Sequence, residues 1–229
     1  MKFMFHSFLA KIEPRLIKIY RRLAEPPAPN LRGDREIEWS FVAANLGSGL
    51  GKALDFGCGQ GYLGLMAAQA GFETVAVDLT SVTWYYQHPY LSFLQGDLLS
   101  LQFPEKSFDL IINCSSVEHS GLIGRYGVEK EGADDDLEVM RKMRRLLKPN
   151  GRMLLTVPVN RDKVFYPLHR VYGEERLPRL LEDFIIEKEE YWTKNKENQW
   201  VLTDKMIALR QEPKTTLYGL GCFLLTAKV

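Results

Sequence analysis

Residues 53–66 read Ala-Leu-Asp-Phe-Gly-Cys-Gly-Gln-Gly-Tyr-Leu-Gly-Leu-Met, and no other stretch restricts the fold of this chain as much. A short apolar run enters Asp55-Phe56, glycines then occupy positions 57, 59 and 61, and an apolar-rich segment follows. This is the order of a buried strand, a glycine turn and a helix. Glycines at alternate positions open positive φ to the turn and leave bare backbone for a ligand to lie against. The helix that opens near Tyr62 points its free N–H groups at whatever occupies the turn.

Downstream the pattern alternates. Strands are predicted at 52–56, 73–78, 91–95, 108–113 and 151–158, and helices at 62–70 and 134–147, while 84–88 reads as a short helix or a loop. Such alternation predicts an α/β fold with a doubly wound parallel sheet, whose ligands bind beyond the carboxyl ends of the strands. The tail differs. Residues 184–192 and 221–229 read as strands with a polar segment between them, which suggests an antiparallel hairpin at one sheet edge.

Upstream, residues 3–23 carry Phe5, Phe8, Leu9, Ile12, Leu16, Ile19, Tyr20 and Leu23 at helical spacing, with basic residues between. This is an amphipathic helix that packs over the domain or lids its ligand; contact with a membrane surface or a partner chain is the alternative. Pro26-Pro27-Ala28-Pro29 cannot continue a helix and reads as a stiff linker. The expected division is 1–34 for helix and linker and 35–229 for the α/β domain, which a short helix at 35–46 opens. A net charge of +1 gives no global reason to expect nucleic acid as a partner. Cys58, Cys114 and Cys222 are far apart, no run approaches a membrane span, and Lys11, Arg15 and Lys18 interrupt any leader-like apolar core. A reducing cytoplasm is the expected compartment.

Two ligand classes use a turn of this kind. Gly59, Gly61 and Gly64 spell G-x-G-x-x-G and Asp78 follows at roughly the ~20-residue distance of a ribose-binding acid, which suits a nicotinamide dinucleotide. With Asp55 in front, the string becomes D-x-G-x-G-x-G and closely resembles the first motif of class I S-adenosylmethionine-dependent methyltransferases. The resemblance implies a Rossmann-like seven-stranded sheet in the order 3-2-1-4-5-7-6 with strand 7 antiparallel. It implies S-adenosylmethionine as cofactor. The turn formed by Asp55, Gly57, Cys58, Gly59 and Gly61 would pass its amino acid part. Asp78 would take the ribose hydroxyls, its two oxygens matching a vicinal pair, with Leu79 beside the adenine. Gly96, Asp97 and Leu98 would meet the adenine edge, and Asn113 and Ser115 at the end of the fourth strand complete the cofactor set. Leu-Leu-Lys-Pro-Asn-Gly at 146–151 would turn the chain into the fifth strand.

Methyl transfer needs an aligned nucleophile and, for a hydroxyl acceptor, a group that takes its proton. The fourth strand runs into NCSSVEHSGLIGRYG at 113–127, a loop that faces the methyl group in this fold. His119, which titrates near working pH, is the candidate base, and Glu118 could orient it. Arg125 and Tyr126, between Gly124 and Gly127, suit an anionic or hydroxyl-rich substrate. A second cluster contains Arg161 and then His169, Arg170 and Tyr172 in PLHRVYG, expected near the first at the same sheet edge. The catalytic set is therefore His119, Glu118 and His169, and the substrate set Arg125, Tyr126, Arg161, Arg170 and Tyr172. No metal-ligand spacing appears, so no metal is assigned.

The pairing of SSVEHSGL and GRYG with HRVYG also resembles a bacterial methyltransferase-like family of unknown function associated with carbohydrate-biosynthesis loci, over about residues 54–181. Ile123 and Val128 depart from that family's pattern. The expected activity is methyl transfer to a small polar acceptor, a hydroxyl oxygen of a sugar or secondary metabolite. A NAD-dependent oxidoreductase and a non-catalytic methyltransferase-like partner protein are the alternatives.

Overall fold

The computed structural model describes residues 33–124 and 126–228. The helix read at 3–23, the proline linker and Arg125 lie outside the described residues.

Five strands, β1 (Gly51–Phe56), β2 (Phe72–Asp78), β3 (Leu91–Gln95), β4 (Phe108–Cys114) and β5 (Leu147–Val159), form the parallel part of one sheet. A two-stranded sheet of β6 (Lys163–Phe165) and β7 (His169–Val171) follows. Then come β8 (Phe184–Lys194), β9 (Trp200–Thr203) and β10 (Gly219–Ala227). β10 inserts antiparallel between β5 and β8, and β9 pairs antiparallel with the outer edge of β8. The order is β3-β2-β1-β4-β5-β10-β8-β9.

Among the described residues the sheet therefore has eight strands where seven were expected. The extra one arises because Asn195 Oδ1 accepts from the backbone N–H groups of Glu197 (3.0 Å) and Gln199 (2.9 Å), folding the polar segment into a tight reversal. Trp200 then buries its ring, and its Nε1 donates to the Gly33 carbonyl at 3.1 Å. A second difference lies at 148–150. The expected turn is absorbed into β5 as a shift of register against β4, with Asn150 at φ 65°.

Alternation of side chains sends Ala53 and Leu54 to opposite faces of the sheet. On one face, Ile37, Phe41 and Val42 of α1 (Asp34–Asn45) and Ala67 of α2 (Leu63–Gln69) pack with Ala53 and Ile112. On the other, Met140 and Met143 of α3 (Asp135–Leu146) pack with Leu54 and Ile111. α3 begins with Asp135, Asp136 and Glu138 and ends with Arg144 and Arg145, the charge order that a helix dipole favours. Two short helices, α4 (Arg176–Leu180) and α5 (Lys205–Arg210), add Leu177, Leu180, Ala208 and Leu209 to the second core. No helix forms between β2 and β3. Residues 79–90 instead run as a strap across the glycine turn.

Candidate active site

β1 delivers the chain to Gly57, whose N–H donates to the Val77 carbonyl at 2.8 Å; Cys58 N–H shares that carbonyl at 3.2 Å. The turn is thus latched to β2 before a ligand arrives. Gly57 has φ 65° and Gly59 φ 49°. A Cβ on Gly57 would lie 2.4 Å from the Ser116 side chain, whose hydroxyl donates to the Gly57 carbonyl at 3.1 Å. A Cβ on Gly59 would meet nothing within 4 Å, so that residue presents bare backbone to open space. The strap holds the turn from outside: Trp84 Nε1 donates to Gly59 O (3.2 Å) and Tyr86 Oη to Gly61 O (2.6 Å). We expect Gly57→Ala to destabilise the fold by about 2–4 kcal/mol, from left-handed strain plus overpacking on Ser116. Chemical denaturation checks this; an unchanged midpoint refutes it.

Asp78 ends β2 as expected. One carboxylate oxygen accepts from the Gly59 N–H at 3.0 Å, and the other from Thr80 N–H and Oγ1, both at 2.9 Å. Asp97 follows β3, where one oxygen accepts from the Leu99 N–H at 2.9 Å. Asp55 is buried beneath the turn, and burial pushes its carboxyl up to about 7, with the neighbouring Asp78 adding and the Gly64 amide opposing.

These groups line one cleft of about 1420 Å³ at the carboxyl ends of β1 to β4. Asp55, Gly57, Cys58, Gly59, Gly61, Asp78, Leu79, Gly96, Asp97, Leu98 and Ser115 all border it. Asn113 does not. It is wholly buried, its Oδ1 accepts from the Val117 N–H (3.3 Å) and its amide faces Met140 Sδ (3.8 Å), so it shapes the β4 loop from below.

A second hollow of about 400 Å³ adjoins the cleft and shares Arg35, Ser115, His119 and Tyr126 with it. Glu118, His169 and Tyr218 also line it. His119 Nδ1 stands 2.6 Å from the Leu168 carbonyl. Because a carbonyl only accepts, Nδ1 carries the hydrogen and Nε2 the lone pair of the neutral ring. That Nε2 lies 3.7 Å from Glu118 Oε1, and the Tyr126 ring centroid is 4.6 Å from that of His119. The β4 loop and the β6–β7 hairpin thus meet, as the sequence led us to expect. His169 is buried, with its ring edge-on to Tyr218 at 5.0 Å.

Three residues expected on the substrate serve elsewhere. Arg170 is buried and donates to the carbonyls of Glu118, Ser120, Gly132 and Ala133, fastening two loops together. Tyr172 is fully buried and donates to Asp136 Oδ2 at 3.1 Å. Arg161 is exposed outside both hollows and pairs with Glu212 at 3.3 Å. In each case the neighbouring carbonyls or carboxylates satisfy the polar group. Among the described residues, no group of three or more His, Cys, Asp or Glu side chains is placed to hold a metal ion.

Sequence reading missed the contribution of α1. Its Glu38 is wholly buried and accepts from Arg35 Nη1 (2.8 Å), Thr156 Oγ1 (3.0 Å) and the Ser115 hydroxyl. Ser115 sits at φ 45°, and both hollows border it. The available signal was an acid inside the apolar stripe Ile37, Phe41, Val42.

Glu118 is 2% exposed, and burial pushes its carboxyl from an ordinary 4.5 up to about 8; its own amide opposes this and Glu38 adds to it. Arg35 and Glu38 of α1, His119 beside it and Tyr218 face it across the hollow. The unfolded chain loses this proton near 4.5 while the folded chain keeps it to about 8, so rising pH across that window costs stability. Glu118→Gln removes this share of the slope, while Asp55, also raised by burial, keeps its own. We expect the variant to match the parent at pH 5 and exceed it at pH 8 by roughly 2–5 kcal/mol. Urea unfolding at the two pH values tests this; a pH-independent difference contradicts it.

A parallel sheet closed by an inserted antiparallel strand, with acids at the ends of β2 and β3 facing a glycine turn, defines a class I S-adenosylmethionine-dependent methyltransferase. Residues 57–221 match the family described as "Caenorhabditis protein of unknown function, DUF268", and the chain belongs to that family. It is similar to the ubiquinone biosynthesis O-methyltransferase of Xanthomonas oryzae pv. oryzae, 28% identical over 192 residues that span 77% of this chain and 74% of the relative. A probable S-adenosylmethionine-dependent methyltransferase of Mycobacterium tuberculosis is 25% identical over 140 residues, 57% of this chain and 46% of that protein. Among solved structures, the Burkholderia thailandensis 1,6-didemethyltoxoflavin-N1-methyltransferase with bound 1,6-didemethyltoxoflavin and S-adenosylhomocysteine aligns with TM-score 0.58 at 17% identity. That alignment covers 97% of this chain and 90% of that one. The cyclase SpnF aligns with TM-score 0.61 at 17% identity over 97% and 95% of the two chains. Likeness at that identity speaks for the fold alone.

Proposed function

We propose that the protein methylates a hydroxyl oxygen of a small polar acceptor, a sugar or a secondary metabolite. The observation that carries this reading is His119 at the junction of the two hollows. Its Nδ1–H is fixed on the Leu168 carbonyl, so Nε2 is the basic nitrogen of the neutral ring. The larger cleft is the cofactor seat: bare backbone at Gly59 and the carboxylates of Asp78 and Asp97 suit the amino acid, ribose and adenine parts in turn.

S-adenosylmethionine, once bound, supplies a methyl group already activated by its sulfonium charge. The protein's own task is alignment and proton removal. The smaller hollow holds the acceptor, His119 Nε2 takes its hydroxyl proton, and Glu118 Oε1 at 3.7 Å faces the imidazolium that forms. The O-methyltransferase name of the Xanthomonas relative agrees with an oxygen acceptor. Among the described residues no helix is long and apolar enough to cross a membrane. We place the reaction in the cytoplasm on the strength of the sparse, separated cysteines.

Isothermal titration tests the cofactor reading. S-adenosylhomocysteine should bind with a defined stoichiometry, and NADH should not compete. Competition by NADH, or no heat from S-adenosylhomocysteine with folded protein, defeats it.

A further inference from the structure

The smaller hollow carries an excess of acid. Among the described residues, Asp34, Glu38 and Glu118 line it, with Arg35 as the arginine there. Two of the carboxylates are engaged. Glu38 is held by Arg35, Thr156 and Ser115, and Asp34 accepts from the Tyr218 hydroxyl at 2.9 Å. Glu118 differs. Its Oε2 is buried and has no hydrogen-bond partner among the described residues. A buried carboxyl oxygen left unsatisfied costs free energy that a donor from a ligand would recover.

The walls point the same way. Tyr126 and Tyr218 present aromatic surface to the hollow, which favours a cation. A phosphate or carboxylate on the ligand would instead meet three acids, and Arg35, the arginine that lines the hollow among the described residues, is already committed to Glu38. Glu118 Oε1 lies 3.7 Å from His119 Nε2, so a group held by Glu118 brings a substituent on the adjacent carbon to the base.

We infer that the acceptor is a 1,2-amino alcohol of the amino-sugar class, its ammonium seated on the Glu118 carboxylate and its neighbouring hydroxyl at His119 Nε2. The inference rests on the reading of this hollow as the acceptor site. On methyl transfer the hydroxyl proton passes to Nε2 and the new C–O bond replaces the C–S bond of the cofactor. The ammonium stays unchanged as an anchor; its charge offsets the burial that holds the Glu118 proton in the free protein, so that proton leaves to solvent as the ligand binds.

The experiment uses the full chain saturated with S-adenosylhomocysteine and three probes: D-glucosamine, D-glucose and D-glucose 6-phosphate, followed by saturation-transfer NMR and titration. Glucosamine should bind at least about tenfold more tightly than glucose, and the phosphate should not bind. In Glu118→Gln, glucosamine should fall to the level of glucose while S-adenosylhomocysteine affinity stays within about twofold of the parent, which also shows that the variant is folded. Glucosamine no better than glucose, with neither detected included, overturns the inference, as does a preference that survives in Glu118→Gln. Failure of S-adenosylhomocysteine itself to bind is a separate result that strikes the cofactor reading.

Discussion

Replacing Asp78 with alanine should weaken S-adenosylhomocysteine binding by about two orders of magnitude. The carboxylate does two things. It accepts from the Gly59 N–H at 3.0 Å, which fixes the outermost glycine of the turn, and through Thr80 it fixes the start of the strap. It also lines the cleft with acceptor capacity to spare, because each carboxylate oxygen has two lone pairs. Hydrogen bonds to a charged group contribute about 1.5–3 kcal/mol each. Loss of two corresponds to about 3 kcal/mol at the least, or roughly a 150-fold rise in Kd. Asp78→Asn keeps one acceptor and should lose less. Titration of both variants decides the matter, and an affinity within threefold of the parent for Asp78→Ala would remove Asp78 from the cofactor site.

The second large effect is expected at His119. With an acceptor that the parent methylates, His119→Ala should retain cofactor affinity and lose turnover by roughly 10²–10⁴-fold, the usual contribution of a positioned base. The ring is held on both sides, by the Leu168 carbonyl at 2.6 Å and the Tyr126 ring at 4.6 Å, so the imidazole is oriented before the acceptor arrives. Retained affinity follows because the residues around the glycine turn do not rest on His119. A variant that turns over at the parental rate would show that the acceptor needs no base here. A variant that loses both turnover and cofactor would show a structural role.

Much of the larger cleft is legible in the sequence alone. Glycine at alternate positions and an acid after each of two apolar strands are local signals. Their meaning survives because a parallel sheet brings successive strand ends to one edge. Asp78 and Asp97 lie nineteen positions apart in sequence and on one cleft in space. The strands themselves were readable from short apolar runs, Leu110–Ile112 in β4 and Met153–Leu155 in β5, which are buried on both faces.

The polar residues of the second cluster were not legible in this way. Arg170 and Tyr172 are as polar in sequence as His119, and only the fold shows that their partners are main-chain carbonyls and Asp136. Glu38 went unassigned because its partners Ser115 and Thr156 sit 77 and 118 positions away. The eighth strand depended on a reversal at Asn195 that a polar segment does not advertise.

The fold class, the glycine turn and the carboxylates around it are encoded locally, since they follow from short-range periodicity and from single residue types that the backbone requires. Which polar side chains face the smaller hollow, and which are consumed in holding loops together, emerges only when the chain is folded. That distinction depends on whether a hydrogen-bonding group finds a partner within about 3 Å, and such partners come from distant parts of the chain.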